Sequence, residues 1–286
     1  MAEFFKVIHS EVSTGLKGLP SESIQCVVTS PPYWGLRDYG VEGQIGLERT
    51  PHEYISKMAL VFHEIKRVVK NDGVVWLNIG DTYIKKSLAG IPWRLAIAMM
   101  DGGWILRSEV IWEKPNSMPE SAKDRPTRSH EHVFMFSKNK KYFYDNRAVV
   151  MPNSESTIKR AEAGYSHGGG DGTLSKYHGG RKFVADGANL RSVWSIPTAS
   201  FRDAHFAVFP MVLPERCIRI SSRIGDTVLD PFAGSGTTLA AAVRLDRNAI
   251  GIELNLEYIK IIERRCAEVA KFENRLLPFE KKLPPL

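Results

Sequence analysis

The fold of this chain follows from one stretch, TVLDPFAGSGTT at residues 227–238, and from the apolar run 239–243 behind it. An apolar strand, a glycine turn and a helix in this order hold a ligand at a helix N-terminus. The turn is not a P-loop, because no lysine follows Gly236. It is not the dinucleotide fingerprint either, because Leu239 replaces the third glycine. The stretch therefore predicts a ligand site between a strand and a helix.

The acidic residue that follows this turn narrows the choice of ligand. A second apolar strand, 249–252, ends in Glu253. A carboxylate at a strand end, about 20 positions beyond the glycines, is suited to bind the two hydroxyls of a ribose. An adenosine site without a pyrophosphate site points to S-adenosylmethionine.

A second informative stretch, TSPPYW at 29–34, follows the apolar run 24–28. Proline has a fixed φ and no N–H, so two prolines make a rigid corner at the end of a buried strand. A hydroxyl and a carbonyl held beside two aromatic rings would accept hydrogen bonds from a flat group that carries an NH2, such as a nucleobase. The alternative is ordinary structure, with Ser30 capping its own turn and the rings in the core. The catalytic candidates are Ser30, Pro31, Pro32 and Tyr33.

With both motifs present, the chain resembles the exocyclic-amino DNA methyltransferases in which S/D/N-P-P-Y/F precedes F-x-G-x-G. A third block, HFAVFP at 205–210, matches the segment that contacts methionine in this family, and the similarity extends over about 7–270. The resemblance implies methyl transfer from S-adenosylmethionine to the exocyclic amine of a base flipped out of duplex DNA. In the family that the chain resembles, a leading serine is associated with cytosine N4 and a leading aspartate with adenine N6, so the resemblance modestly favours cytosine N4.

The cofactor-binding candidates lie in the glycine loop, after the strand that ends at Glu253, in the third block and after a further predicted strand. Asp230 could bind the cofactor or cap the next helix, and Asp81 could touch the cofactor or only order its turn. His205 is better explained as a surface group. The full set is Asp230, Pro231, Phe232, Gly234, Ser235, Gly236, Thr237, Glu253, Asn255, Phe206, Phe209, Pro210 and Asp81.

Composition and charge favour a globular protein that binds a polyanion. The chain has 286 residues, 43% hydrophobic and 25% charged, and a net charge of +7. Residues 121–192 hold 13 Lys or Arg against 7 Asp or Glu, which a solvated loop or a phosphate-binding face would explain. We expect double-stranded DNA as the partner, with contacts from Trp34, Arg37, Arg49, Lys123, Arg125, Arg128, Lys159, Arg160, Arg181 and Lys182.

Three scattered cysteines and the absence of a long apolar run predict no disulfide, no metal site, no membrane span and a cytoplasmic location. The resemblance adds two expectations, a homodimer and a companion restriction endonuclease. Two rival functions stay open. One is methylation of RNA or of a protein amide, and the other is DNA binding without catalysis.

The alternation of strands and helices predicts an α/β fold with a mainly parallel, doubly wound sheet, the Rossmann-like methyltransferase fold. Helices are predicted over 51–70, 91–100, 210–219 and 256–269, and strands over 24–29, 74–78, 104–112 and 132–136, with 71–73 ending the first helix. The catalytic domain comprises 1–145 and 193–275. The predicted target-recognition insert is 146–192, joined by a DNA-facing loop at 114–130. Residues 276–286 form a mobile tail, and the glycine-rich segment 35–47 is predicted to be a mobile flap.

Overall fold

The computed structural model describes residues 4–151, 159, 188–198 and 209–273. Its strands are β1 (Phe5–His9), β2 (Ile24–Thr29), β3 (Val69–Ile79), β4 (Tyr83–Ile84), β5 (Ser87–Leu88), β6 (Ile105–Glu113), β7 (His130–Ser137), β8 (Val193–Ser195), β9 (Thr227–Asp230) and β10 (Asn248–Glu253). Its helices include α1 (Val12–Lys17), α2 (Pro51–Val68), α3 (Ile91–Asp101), α4 (Val212–Ser221), α5 (Thr237–Arg244) and α6 (Leu256–Glu273).

One large sheet organises the molecule, in the order β1-β10-β9-β2-β3-β7-β6-β8. The first five strands are mutually parallel, β7 is antiparallel to both of its neighbours, and β8 is parallel to β6. The chain winds outward in opposite directions from β2 and β9, so the strand order reverses between these two. The carboxyl ends of strands at such a switch point form a crevice in which α/β proteins bind ligands.

Both faces of this sheet are buried, as the doubly wound prediction requires. Along β2, Val27 packs on one face, while Cys26 and Val28 pack on the other. The first face carries residues of α1, α2 and α3, and the second carries residues of α4, α5 and α6. Because side chains alternate along a strand and both faces are covered, the central strands are nearly continuous apolar runs.

The structure corrects several boundaries and adds elements. The helix predicted over 51–70 ends at Val68, and residues 71–73, predicted to terminate it, lie within β3. The β2–β3 register shifts between Ile24 and Cys26, where the extra residues of β3 are accommodated. The helix predicted over 210–219 is displaced by two residues, and β1, α1, β8 and the β4–β5 hairpin were not predicted.

Much of the predicted insert, 146–192, and the tail, 276–286, lie outside the described residues. At the edge of the insert, Met151 and Ala188 form an isolated antiparallel bridge. No helix among the described residues combines the length and the apolar character that crossing a membrane would require.

Close packing at Gly251 of β10 yields a stability prediction. A Cβ built there would lie 2.8 Å from Leu239 Cδ2 and 3.0 Å from the Cβ of Ala233, in the glycine loop. We expect Gly251→Val to lower the free energy of unfolding by about 1–3 kcal/mol through overpacking, measured by urea denaturation. Gly18→Val is the control, since Gly18 is exposed and its nearest neighbour, Gly15 O, is 3.4 Å away. Equal losses for both variants would contradict the packing argument.

Candidate active site

The proline corner at the end of β2 is fixed by hydrogen bonds from its neighbours. The Pro32 carbonyl accepts a hydrogen bond from the Tyr54 hydroxyl of α2 at 2.9 Å. The Trp34 indole N–H donates to the Glu48 carbonyl at 2.9 Å. Two rigid prolines and these contacts leave the corner little freedom. The position assigned to Trp34 at the DNA interface stays a prediction.

A polar network lies beneath this corner. The Ser30 hydroxyl donates to the Tyr33 hydroxyl at 3.1 Å, which donates to Glu131 Oε2 at 2.6 Å. Asn78 Nδ2 donates to the Tyr33 oxygen at 3.0 Å and to Glu131 Oε2 at 2.8 Å, and Lys114 pairs with Glu131 Oε1. Burial, reinforced by the Glu131 carboxylate, raises the pKa of Tyr33 well above its usual value. The Tyr33 hydroxyl therefore stays protonated.

The direction of these hydrogen bonds determines what Ser30 can offer to a ligand. Its hydrogen is directed to Tyr33 and its oxygen accepts from Asn78 Nδ2 at 3.4 Å, which leaves one lone pair of the oxygen as an acceptor for a ligand. The Tyr33 ring lies against Gly80, where a Cβ would come within 2.8 Å of Tyr33 Cε2. We expect the Tyr33 ring to stack on the target base, and the structure adds that its hydroxyl is held by hydrogen bonds. Asn78, Lys114 and Glu131 were missed, because isolated polar residues far apart in the chain carry no sequence signature.

The glycine loop is joined directly to the strand that carries the corner. Asp230 Oδ1 accepts hydrogen bonds from Thr29 Oγ1 at 2.7 Å and from the Phe232 N–H at 3.1 Å. Thr238 Oγ1 donates to the Val28 carbonyl at 3.2 Å. Asp230 thus holds β2 and the loop together. Direct binding of the cofactor by Asp230 stays a prediction.

Gly236 and the two polar residues beside it shape the start of α5. Gly236 has a φ of 81°, and a Cβ there would lie 2.9 Å from Ile262 Cγ1, so only glycine fits. Ser235 and Thr237 are buried. Arg265 Nη1 donates to the Ser235 carbonyl at 2.7 Å and to Thr237 Oγ1 at 3.2 Å. These side chains stabilise the turn, and their contact with a cofactor stays a prediction.

The Glu253 carboxylate is held at the end of β10 by two backbone donors. Its Oε2 accepts from the Gly234 N–H at 2.7 Å and its Oε1 from the Asn255 N–H at 2.8 Å. Burial raises the pKa of Glu253, while these hydrogen bonds oppose the rise. Asn255 Oδ1 in turn accepts from the Glu257 N–H at 2.9 Å and caps α6.

An open cleft of about 680 Å³, counted with its mouth, lies between the corner and the glycine loop. Six of the predicted site residues line it, namely Ser30, Pro32, Pro231, Phe232, Glu253 and Asn255. The structure therefore places the two motifs at one cavity, as their positions at adjacent strand ends require.

Further cleft residues were not predicted as site residues. Tyr39, Gln44 and Ile45 line the cleft from the 35–47 segment, Glu11 lines it from the N-cap of α1, and Tyr258 lines it from α6. The Tyr39 N–H donates to Gln44 Oε1 at 2.8 Å, which ties the segment together. Mobility of this segment stays a prediction. The glycines of the 35–47 segment indicated a flexible loop, but the sequence of the segment did not show which cavity the loop would line.

The other cofactor candidates that the structure describes do not line this cleft. Asp81 accepts from the N–H groups of Thr82, Gly90 and Ile91 at 2.9, 2.9 and 3.0 Å, and so orders the turn before α3. Phe209 packs on the sheet face of α4–α6, and Pro210 precedes α4. Phe206 and His205 lie outside the described residues.

Seven of the candidate DNA contacts lie among the described residues, and none of the seven is buried. Arg49, Lys123 and Lys159 are exposed, and Arg37 is half-buried. Arg125 pairs with Glu120 at 2.5 Å and lies 3.9 Å from the Tyr83 ring centroid. Arg128 donates to the Asp81 carbonyl. Arg160, Arg181 and Lys182 lie outside the described residues, and all ten contacts stay predictions.

Comparison with known proteins identifies the family. A family model described as DNA methylase matches residues 24–264. The Type II methyltransferase M.SmaI of Serratia marcescens is 40% identical, over 91% of this chain and 90% of its own. The chain belongs to this DNA methylase family and is a DNA methyltransferase, so the resemblance inferred from its motifs is confirmed.

Solved structures show the same fold. The cytosine-N4-specific PvuII DNA methyltransferase has a TM-score of 0.69 at 24% identity, over 95% of this chain and 92% of its own. A putative DNA modification methylase of Thermus thermophilus, in complex with S-adenosyl-L-methionine, has a TM-score of 0.62 at 23% identity, over 92% of this chain and 95% of its own. The cofactor of this family is S-adenosylmethionine. The cleft fits it, since a fixed carboxylate at Glu253 and apolar walls at Phe232 and Ile45 suit a nucleoside.

Asp230 predicts a pH dependence of stability. Burial raises the pKa of its carboxyl from 3.8 to about 6, although the hydrogen bonds from Thr29 and Phe232 act to lower that pKa. Between these values the folded state binds more protons than the unfolded state, so this residue adds stability as the pH falls from about 6 to about 4, and the gain is lost as the pH rises through about 6.

We expect the unfolding free energy of the unsubstituted protein, relative to Asp230→Asn, to rise by up to about 3 kcal/mol between about pH 7 and about pH 4. Urea denaturation of both proteins across this range measures the difference. A difference that does not vary with pH would contradict the assignment.

Proposed function

We propose that this protein methylates the exocyclic amine of a flipped base in duplex DNA, and that the base is cytosine, methylated at N4. One observation carries the proposal. The Ser30 hydroxyl donates its hydrogen to Tyr33, so it meets a ligand as an acceptor, and it lies in the same cleft as Glu253. The leading serine favours cytosine over adenine. The fold shared with a cytosine-N4-specific enzyme agrees with this choice.

The acceptor character of the corner matches what an exocyclic amine needs. The amine is a poor nucleophile, because its lone pair is delocalised into the ring. Hydrogen bonds from its two N–H groups, to Ser30 Oγ and to the Pro31 carbonyl, would localise that pair on nitrogen. Pro32 fixes the direction of the carbonyl. The amine becomes acidic once it has been alkylated, so no strong general base is required.

The remaining residues of the cleft would hold the cofactor and position it. When bound, S-adenosylmethionine supplies an electrophilic methyl group on a sulfonium sulfur. Glu253, fixed by two N–H donors, would bind the ribose hydroxyls, and Phe232 would pack on the nucleoside. The Asp230–Thr29 hydrogen bond would keep the cofactor site at a fixed distance from Ser30. Catalysis by this chain is then mostly positioning.

The target base must leave the duplex to enter this cleft, which costs a few kcal/mol. Basic residues such as Arg49 and Lys123 would offset that cost by binding phosphates. A companion restriction endonuclease is part of this proposal, and it is supported by the relative M.SmaI, which is named a Type II methyltransferase. We also retain the homodimer as a proposal that follows from the motif order.

The test of the proposed reaction is mass spectrometry of DNA incubated with the protein and S-adenosylmethionine. We expect N4-methylcytosine. N6-methyladenine as the sole product would contradict the choice of base. Preferential methylation of tRNA would favour the RNA alternative. Absence of any methylated base, together with unmeasurable affinity for S-adenosylhomocysteine by calorimetry, would favour a DNA-binding protein without catalysis.

Two substitutions at Tyr33 separate its ring from its hydroxyl. Tyr33→Ala removes both and should abolish most turnover. Tyr33→Phe keeps the ring but leaves Ser30 without its acceptor, which should lower kcat by about 10- to 100-fold, corresponding to roughly 1–3 kcal/mol. Affinity for S-adenosylhomocysteine should stay unchanged in both variants, as measured by calorimetry.

The matched control is Tyr142→Phe. The Tyr142 hydroxyl accepts from Arg107 at 3.0 Å near the opposite edge of the sheet. This variant should keep full turnover. An unchanged kcat in Tyr33→Phe would show that the hydroxyl network does not orient Ser30, and a large loss of cofactor affinity in Tyr33→Ala would place Tyr33 in the cofactor site.

A further inference from the structure

The β4–β5 hairpin has an unusual turn. Tyr83 pairs with Leu88 and Ile84 with Ser87, so Lys85 and Lys86 form a two-residue loop. Their φ values are 47° and 69°. Positive φ at both positions is the type I′ geometry, for which Asn-Gly is the preferred sequence. A lysine Cβ is strained in this conformation, so the turn retains two side chains that its backbone disfavours.

The base of the hairpin is held by hydrogen bonds and adjoins the proline corner. The hairpin follows β3 through Gly80, which contacts the Tyr33 ring. The Asp81 carboxylate binds the N–H of Thr82 before the hairpin and the N–H of Gly90 after it. The hairpin therefore projects from the sheet edge at which the corner and the cleft lie.

The 114–129 loop supports the hairpin from the same edge. The Arg125 guanidinium packs over the Tyr83 ring, 3.9 Å from its centroid, and Arg125 is itself paired with Glu120. At the tip, Lys86 and Asp124 are 3.4 Å apart, with side chains 89% and 67% exposed. Such an exposed pair holds neither charge firmly.

Lys85 is exposed and makes no ion pair with any residue that the structure describes. The Lys85 and Lys86 side chains are thus both exposed to solvent at the turn of a hairpin that the 114–129 loop supports. Strained backbone that persists in a well-supported element often marks a functional position, and here the strained residues carry the charge.

We propose that Lys85 and Lys86 bind phosphates of the substrate DNA beside the flipped nucleotide. The inference rests on the proposed function, because it needs DNA to enter from this edge. Paired positive charges on a short, rigid support suit a backbone with one phosphate after another and carry no base specificity. The hairpin would anchor the duplex while the corner receives the base.

The test removes the charges and keeps the turn. Lys85→Asn/Lys86→Gly installs the preferred type I′ pair and relieves the strain at both positions, so the hairpin should stay folded, with thermal stability equal or higher and affinity for S-adenosylhomocysteine unchanged. Duplex DNA binding is measured by fluorescence anisotropy over a series of salt concentrations. The duplex is one that the protein methylates in the mass-spectrometric test, so that a target base is present beside the phosphates that the hairpin would bind. We expect the slope of log K against log salt to fall in magnitude by about 1.8, or about 0.9 for each lost phosphate contact.

Two controls separate a contact from a general loss of charge. Lys140→Asn/Lys141→Gly removes the same charge from exposed residues after β7, beside Asp72 at the opposite sheet edge, and should leave the slope unchanged. Lys85→Arg/Lys86→Arg keeps the charge and should also keep the slope.

An unchanged slope in the hairpin variant, or an equal fall in the Lys140 and Lys141 variant, would overturn the inference while leaving the proposed function intact. DNA binding by the unsubstituted protein without salt dependence would overturn the proposed DNA contacts and this inference together.

Discussion

The hydrogen bond from Thr29 to Asp230 is the contact on which the arrangement of the site depends. It joins the carboxyl ends of β2 and β9, the neighbouring strands between which the sheet order reverses. A buried carboxylate is costly to charge, and the raised pKa of Asp230 reflects that cost. Hydrogen bonds from Thr29 and Phe232 offset part of it. The result is a fixed distance between the proline corner and the glycine loop.

The two halves of the sheet supply different parts of the site. The parallel half, β1-β10-β9-β2-β3, provides the glycine loop, Glu253 and the corner itself. The antiparallel part brings Glu131 of β7, with Lys114 just after β6, beneath Tyr33. A ligand cleft therefore forms on one side of the corner and a charged network on the other. Ser30 lies between them, and its hydrogen is directed into the network.

The sequence allowed the motifs to be predicted, because each is contiguous and carries its own backbone signature. Pro31 and Pro32 mark a strand that must turn, and Gly234 and Gly236 mark a turn before a helix. The network at Glu131 could not be predicted from the sequence, because only the antiparallel pairing of β3 and β7 brings Glu131 close to Tyr33. Residues 71–73 were misjudged because turn residues here lie within a strand, next to a register shift.

A crystal structure of the protein with S-adenosylhomocysteine tests the central claim most directly. We expect the adenosine in the cleft between Phe232 and Ile45, with the ribose hydroxyls bound to the Glu253 carboxylate. We also expect the sulfur to face Ser30 Oγ across the cleft. An adenosine bound outside the cleft, or a sulfur directed away from Ser30, would contradict the account.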